Sequence, residues 1–253
     1  MRHSSRLDDA IHERQLKLKA MADANETGEE GLANGKSGDL EAIPWPDKAL
    51  RPYDSPIVDT ELPAQQARGL SRVGLGSQTY IVCSPFRRCL QTAGVVARTL
   101  GVASVTVHLE IGERMDKVRK EIAELVLANL RESNGKGSKQ PKPVFSYLDT
   151  ASMREALGAG VQLQGVIGEQ PPEDESGVEA KERFIATIAK VREERLRESS
   201  VLVIAHGDTL DAAGESLASQ IVFEANYCAW AVFELDAHSG YVTESYGTQM
   251  IPL

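Results

Sequence analysis

The sequence predicts an α/β fold, a three-layer α/β/α sandwich with a mostly parallel sheet, on three observations. Short runs of β-branched and apolar residues alternate with amphipathic stretches, a pattern typical of parallel strands joined by crossover helices. Two of these runs, at residues 79–83 and 201–205, suit strands that are buried on both faces. A chain of 253 residues with 42% hydrophobic composition can also bury one large core, so a single domain over residues 1–253 is expected.

The predicted strands are short, rich in β-branched and aromatic residues, and bounded by turn residues. They comprise residues 79–83, 105–109, 201–205, 228–235 and 241–246. The last two favour a closing pair of strands. The predicted helices carry apolar residues three or four positions apart, the spacing of one helical face. They comprise residues 62–70, 86–100, 116–131, 179–197 and the segment after a turn at residues 206–209. The Gly/Lys/Pro stretch at residues 134–143 predicts a loop, and the polar stretch from about residue 13 to 48 predicts a long surface insertion.

Composition argues against several classes of protein. The chain has 28 basic and 37 acidic residues and a formal net charge of -9, which disfavours nucleic acid as the main partner. No apolar run approaches the length of a membrane span, and the polar, charged opening does not resemble a signal peptide. The three cysteines, Cys83, Cys89 and Cys228, have no metal-ligand spacing. We therefore expect no membrane association, and a reducing, cytoplasmic location.

Polar residues follow two of the predicted buried strands. Residues 84–88 follow the strand at 79–83, and His206 follows the strand at 201–205. Because ligands of parallel α/β folds bind at the carboxyl ends of strands, we expect these clusters to share one edge of the sheet. An Arg-His pair also opens the chain. A neutral histidine is a competent nucleophile toward phosphorus, and nearby arginines lower its pKa and fork onto phosphate oxygens, so these residue types suit phosphoryl transfer.

Three segments, in order along the chain, resemble one known family. They are Arg-His-Ser-Ser-Arg-Leu-Asp at residues 2–8, Ser-Pro-Phe-Arg-Arg-Cys-Leu-Gln-Thr-Ala at residues 84–93 and Ala-His-Gly-Asp-Thr-Leu-Asp at residues 205–211. Together they resemble the histidine phosphatase superfamily, whose fold is phosphoglycerate mutase-like. The resemblance covers most of the chain, with insertions near residues 13–50 and 117–170. Within the superfamily, the sequence looks most similar to the phosphatase domains of the T-cell ubiquitin-ligand proteins.

The resemblance implies a role for each matching residue, with no metal and no other cofactor. His3 matches the nucleophile, and His206 matches the second histidine of the site. Glu113 lies in an Ile-Gly-Glu segment where the family has Leu-x-Glu, so it matches the proton donor, with Glu110 as the alternative. The arginines that match the phosphate-binding positions are Arg2, Arg6 and Arg88.

The chain departs from the family pattern at its beginning. Ser4 stands where the family has glycine, so its Cβ would crowd a backbone close to the phosphate, or its hydroxyl would donate to the phosphate. Ser4 is therefore counted among the candidate phosphate-binding residues. The family places an apolar central strand before the Arg-His pair, whereas only Met1 precedes it here. Either the chain extends upstream or that strand is shortened, and a free amino terminus would loosen Arg2 and His3.

Other polar residues near these segments have ordinary structural interpretations. Arg87 is expected to be a solvated helix residue, and Asp208 is expected to cap the helix that follows the turn. His12, His108 and His238 lie in polar or surface contexts and are given no role.

Three functions fit this reasoning. The first is a metal-independent phosphomonoester hydrolase that forms a phosphohistidine on His3 and acts on a phosphorylated small molecule or phosphoprotein. The second is a phosphoglycerate-type mutase, which returns the phosphoryl group to a sugar acid. The third is a weakly active scaffold that recognises phosphorylated partners, an interpretation favoured by Ser4 and by the missing strand.

Overall fold

The computed structural model describes residues 1–6, 8–10, 12–13, 15–16, 40, 43–132, 145–195, 200–235 and 240–252. The loop predicted at residues 134–143, most of the insertion predicted near residues 13–50, and His238 lie outside the described residues. Over the described residues the chain forms an α/β structure with a parallel central sheet and flanking helices. The predicted fold class is therefore confirmed.

The central sheet has four strands, all parallel, in the order β3-β2-β1-β4. They are β1 (Tyr80–Cys83), β2 (Ser104–His108), β3 (Gln162–Ile167) and β4 (Val201–Ile204). The strands predicted at 79–83, 105–109 and 201–205 are confirmed to within one residue at each end. The sequence pattern does not predict β3, because this edge strand is largely exposed and its glutamines and glycine obscure the apolar signal. A separate antiparallel pair, β5 (Gln220–Leu235) and β6 (Gly240–Pro252), confirms the predicted closing strands and extends them.

Helices flank the sheet and are numbered here in chain order. They are α1 (Glu61–Arg72), α2 (Arg87–Leu100), α3 (Met115–Glu132), α4 (Thr150–Leu157), α5 (Gly177–Arg195) and α6 (Gly207–Ala218). All five predicted helices are confirmed, whereas α4 was not expected, since its eight residues are too few to show a clear period. The carboxylate of Asp149 caps α4 by accepting a hydrogen bond from the N–H of Ser152 at 2.7 Å.

Helices cover both faces of the sheet, as β1 shows. Ile81 packs in an apolar cluster with Leu90 of α2 and Leu157 of α4. Its neighbour Val82 belongs to a different cluster, with Val191 of α5. Because successive side chains of a strand point to opposite faces, the two clusters form the two cores of a three-layer sandwich.

The first residues of the chain lie between β4 and β5. The N–H of His3 donates to the carbonyl of Ala205, directly after β4, at 3.0 Å. The carbonyl of His3 accepts from the N–H of Cys228 in β5 at 3.1 Å. This pairing on both sides fixes the backbone of His3, so the expected loosening of the Arg-His pair is wrong.

The contact between α2 and α4 leaves no room for a side chain at Gly94. A Cβ built there would stand 1.9 Å from the carbonyl oxygen of Leu157. We expect Gly94→Ala to lower the free energy of unfolding by about 3 kcal/mol, because the backbone of α4 must shift. Gly76→Ala is the control, since a Cβ there meets nothing within 4 Å. Urea denaturation of both variants checks this, and similar midpoints would contradict the close packing of the two helices.

Candidate active site

His3 is 3% exposed and has a defined tautomer. Its Nδ1 lies 2.7 Å from the carbonyl oxygen of Ser4. Because a carbonyl oxygen can only accept, Nδ1 carries the proton and Nε2 carries the lone pair. Nε2 accepts a hydrogen bond from Nε of Arg88 at 3.2 Å. The lone pair needed for attack on phosphorus therefore lies beside a fixed positive charge.

The second histidine, His206, lies two residues after the end of β4 and faces His3. The two ring centroids are 5.4 Å apart, and the rings are inclined at 67°. Nδ1 of His206 lies 3.1 Å from Oε2 of Glu113, and Nε2 lies 2.8 Å from the hydroxyl of Ser84. The carboxyl ends of β1 and β4 thus supply adjacent groups, as the polar residues after these strands predicted.

Arg88 connects the groups of this cluster from the first turn of α2. It is 1% exposed, and its Nη2 donates to Oε2 of Glu113 at 3.2 Å and lies 3.3 Å from Nδ1 of His206. Nη1 donates to the carbonyl of Tyr53 at 2.9 Å. Together with the bond from Nε to His3, these contacts involve each of the three nitrogens of the guanidinium. Arg88 therefore fixes the relative positions of both imidazoles and the carboxylate.

Glu113 is positioned by a contact that the sequence did not reveal. It follows a short 3-10 turn at Leu109–Ile111. Nη1 of Arg183, on α5, donates to the backbone carbonyl of Glu110 in that turn. The same guanidinium forms two hydrogen bonds with the buried carboxylate of Glu175, at 2.6 and 2.8 Å. Glu175 and Arg183 thus hold the turn in place, whereas the alternative donor Glu110 lies beside His108 instead of His206.

The electrostatics of the site favour neutral imidazoles. Burial lowers the pKa of His3 well below its ordinary value, and the charges on Arg88 and Arg2 lower it further. Burial also lowers the pKa of His206. Burial acts to raise the pKa of Glu113, but His206 and the permanently charged Arg88 hold that pKa well below its usual range. At neutral pH the site therefore contains two neutral imidazoles, a guanidinium and a carboxylate.

Arg2 contributes a second cation close to His3. One terminal nitrogen donates to the carbonyl of Ala225, and the guanidinium lies over the ring of Tyr227, 4.3 Å from its centroid. Its buried Nε has no hydrogen-bond partner among the described residues. An anion in the adjacent cavity could supply that partner.

A cavity of about 390 Å³ opens in front of His3. Its lining consists mostly of charged and polar side chains: Arg2, His3, Arg6, Asp9, Glu113, Lys117, Glu121, Gly207, Asp208, Asp211, Val222, Ala225 and Tyr227. His206 and Arg88 stand behind this lining, in contact with Glu113. The predicted catalytic residues and the three predicted arginines thus lie at this cavity or directly behind its lining.

Two predicted phosphate-binding residues are used differently. The hydroxyl of Ser4 donates to the carbonyl of Asp59 at 2.9 Å and its N–H donates to Thr92, so both donors of Ser4 are used within the protein and the structure does not support Ser4 as a phosphate ligand. Arg6 lines the cavity, but four of its hydrogen bonds go to the carboxylates of Asp8 and Glu121. With those donors engaged, the structure does not support Arg6 as a principal phosphate ligand.

Three residues that were expected to have ordinary structural roles are also placed differently from the prediction. Arg87 is buried and pairs with Asp47 at 2.8 Å, so it is not a solvated helix residue. Asp208 does not cap α6, since it pairs instead with Lys117 and Arg114. His108 is fully buried at the end of β2 rather than near the surface.

The described residues form neither a metal-binding cluster nor a membrane-spanning helix. Among the residues that the structure describes, no cluster of three or more histidine, cysteine or carboxylate side chains is suited to hold a metal ion. Over the same residues, none of the helices combines the length and the apolar character needed to cross a lipid bilayer.

Comparison with known proteins gives evidence on the fold. No family model matches the chain, and no curated protein matches significantly. Among solved structures, the chain is similar to the ecdysone phosphate phosphatase from Bombix mori in complex with tungstate, with 18% sequence identity and a TM-score of 0.51. The match covers 85% of this chain and 74% of that chain. At this identity the likeness shows a shared fold, in agreement with the phosphoglycerate mutase-like architecture expected from the sequence.

Proposed function

We propose that this protein is a phosphomonoester hydrolase that works through a phosphohistidine on His3. The observation that carries the proposal is the buried cluster in which Arg88 contacts His3, His206 and Glu113 at 3.2 to 3.3 Å. A neutral imidazole beside a guanidinium, with a second imidazole and a carboxylate facing it, contains the groups that phosphoryl transfer needs. The structural neighbour, a phosphatase solved with the oxyanion tungstate, supports this choice.

In the first step, the lone pair of Nε2 of His3 forms a bond to phosphorus as the bond from phosphorus to the ester oxygen breaks. Arg88 and Arg2 would balance the charge on the equatorial oxygens, while the N–H of His206 would hold the carboxylate of Glu113 in position. The departing oxygen needs a proton. Because Glu113 is ionised in the free site, we propose that the proton enters with a monoanionic substrate and that Glu113 passes it to the leaving oxygen.

In the second step, water attacks phosphorus and the bond from phosphorus to Nε2 breaks, which releases phosphate and restores His3. Glu113 accepts the proton of the attacking water and returns it to the departing phosphate. The step uses no group beyond those in the cluster. Metal independence, a cytoplasmic location, the class of phosphorylated substrate and a particular likeness to the T-cell ubiquitin-ligand phosphatase domains stay predictions.

The proposal predicts a characteristic pH dependence. The second pKa of a phosphate ester is about 6, so the monoanion that brings the proton is depleted above that pH. His3 stays neutral well below pH 6.5, since its pKa is strongly lowered. We therefore expect kcat/KM for an alkyl phosphate to be high near pH 5 and to fall about tenfold per unit above about pH 7. A kcat/KM that instead rises between pH 5 and 7 would contradict this source of the proton.

The direct test is hydrolysis of 4-nitrophenyl phosphate by the purified protein, with release of inorganic phosphate measured in parallel. Turnover that yields equal amounts of phenol and phosphate supports the hydrolase. An assay that couples isomerisation of a phosphorylated sugar acid, with a bisphosphorylated primer, tests the mutase. Isomerisation much faster than hydrolysis would favour the mutase, and tungstate binding without any turnover would favour the scaffold.

A further inference from the structure

The cavity in front of His3 has an acidic rim, and this inference rests on the proposed function. Its lining includes three permanent cations, Arg2, Arg6 and Lys117, but five carboxylates. The carboxylates are those of Asp9, Glu113, Glu121, Asp208 and Asp211. In the proposed function Arg2 and Arg88 bind the phosphate group of the substrate, so the excess of carboxylates would act on the alcohol attached to that phosphate.

One side of the rim carries most of the excess negative charge. Arg6 is shared by three carboxylates: those of Asp8, Asp9, at 3.9 Å, and Glu121, at 3.0 Å. Among the residues that the structure describes, one cation shared by three anions leaves this group with about two negative charges in excess. The hydroxyl of Tyr227 also donates to Asp9, which leaves its charge unchanged.

The other side is closer to neutral. Arg114 and Lys117 pair with Asp116 and Asp208, which gives two cations and two anions. Asp211 lies 3.8 Å from the ammonium of Lys181. That lysine also pairs with a second carboxylate, on Glu215, so one negative charge is left over. Across the described residues, the rim therefore has an excess of negative charge on both sides of the opening.

We propose that this rim selects phosphate esters whose alcohol is cationic or uncharged, and rejects those whose alcohol carries a carboxylate or a second phosphate. An ammonium group at the opening would be attracted by Asp9, Glu121 and Asp211, whereas a carboxylate there would be repelled by them. The favoured substrates are thus monophosphates of amino alcohols or neutral alcohols. The phosphorylated sugar acids of a mutase belong to the rejected class.

A series of three small esters of similar size isolates the charge of the alcohol. Phosphoethanolamine carries an ammonium group, propyl phosphate a methyl group in its place, and phosphoglycolate a carboxylate. We expect kcat/KM to decrease in that order, by about tenfold or more from the first to the last at low salt. At high ionic strength the spread should shrink, because partly exposed charges are screened.

A double variant tests the assigned residues. Asp9→Asn with Glu121→Gln removes two rim charges, and it should reduce the ratio of phosphoethanolamine to phosphoglycolate by about fivefold or more. The matched control is Glu61→Gln, which removes a carboxylate from the exposed surface of α1, where it pairs with Arg68. The control should leave the ratio unchanged. An unchanged ratio in the double variant would overturn the assignment of selectivity to these carboxylates.

Equilibrium binding separates this inference from the proposed function. Calorimetric titration of the three esters into His3→Ala protein should give the same order of affinity, since the rim is intact there. Equal affinities, or tightest binding of phosphoglycolate, would overturn the charge selectivity whatever the rates are. Absence of 4-nitrophenyl phosphate turnover in wild type, with the affinity order preserved, would overturn the hydrolase and support the selectivity.

Discussion

Replacing His3 by alanine is expected to reduce the hydrolysis of 4-nitrophenyl phosphate by at least about 10⁴-fold, because the atom that forms the bond to phosphorus is removed. Arg88, His206 and Glu113 would still bind and polarise the ester, so KM should change far less than kcat. Rapid acid-free quenching of wild type with labelled substrate should trap a phosphoryl group that is stable to base and labile to acid. The variant should trap none.

His108→Ala is the matched control for this result. His108 is as deeply buried as His3 and ends strand β2, but it lies beside Glu110 and is not among the residues that line the cavity. A large loss of activity in both variants, accompanied by lower thermal stability in both, would point to a general packing defect. Substantial turnover by folded His3→Ala protein would exclude His3 as the nucleophile.

Within the central sheet, the strands that the sequence predicted are those buried on both sides. The strands β1 and β4 are nearly continuous apolar runs, since both of their faces are covered by helices, and such runs are visible in sequence. β3 was missed for the opposite reason, because a half-exposed edge strand tolerates polar residues. The unexpected helix α4 is held by tertiary packing of Met153 and Leu157 rather than by a long periodic pattern.

The residues of the candidate site could be predicted where the chemistry requires a particular residue type. Contacts that depend on how distant elements pack could not be predicted. His3, His206, Arg88 and Glu113 meet at one point, as the order of the segments suggested. The engagement of Arg6 by Glu121 depends on α3 crossing the start of the chain, and no local pattern shows that crossing. Likewise, the hydrogen bond from Arg183 to the turn before Glu113 joins residues that are 73 positions apart in the sequence, and at that separation residue spacing does not predict a contact.

The second large effect is expected for Arg88→Lys, which keeps the charge and removes the fork. A lysine ammonium is a point charge, so it cannot contact His3, Glu113 and the carbonyl of Tyr53 together as the guanidinium does. We expect kcat to fall about 10³-fold, because oriented donors to the transferring group are lost while the net charge is unchanged. Steady-state kinetics on 4-nitrophenyl phosphate measures this, with Arg87→Lys as the control.

Arg87→Lys shows whether any arginine-to-lysine change in this helical turn lowers activity. Arg87 precedes Arg88, is also buried, and pairs with Asp47 away from the imidazoles. Arg88→Ala removes the charge as well as the fork. It leaves the buried carboxylates of Glu113 and Asp54 without the cation of Arg88. We expect this variant to have a free energy of unfolding lower by about 3 to 5 kcal/mol. If charge alone mattered, Arg88→Lys would retain most activity and only the alanine variant would lose it. If the fork positions both imidazoles, as the contacts indicate, the lysine variant loses activity while it keeps much of its stability.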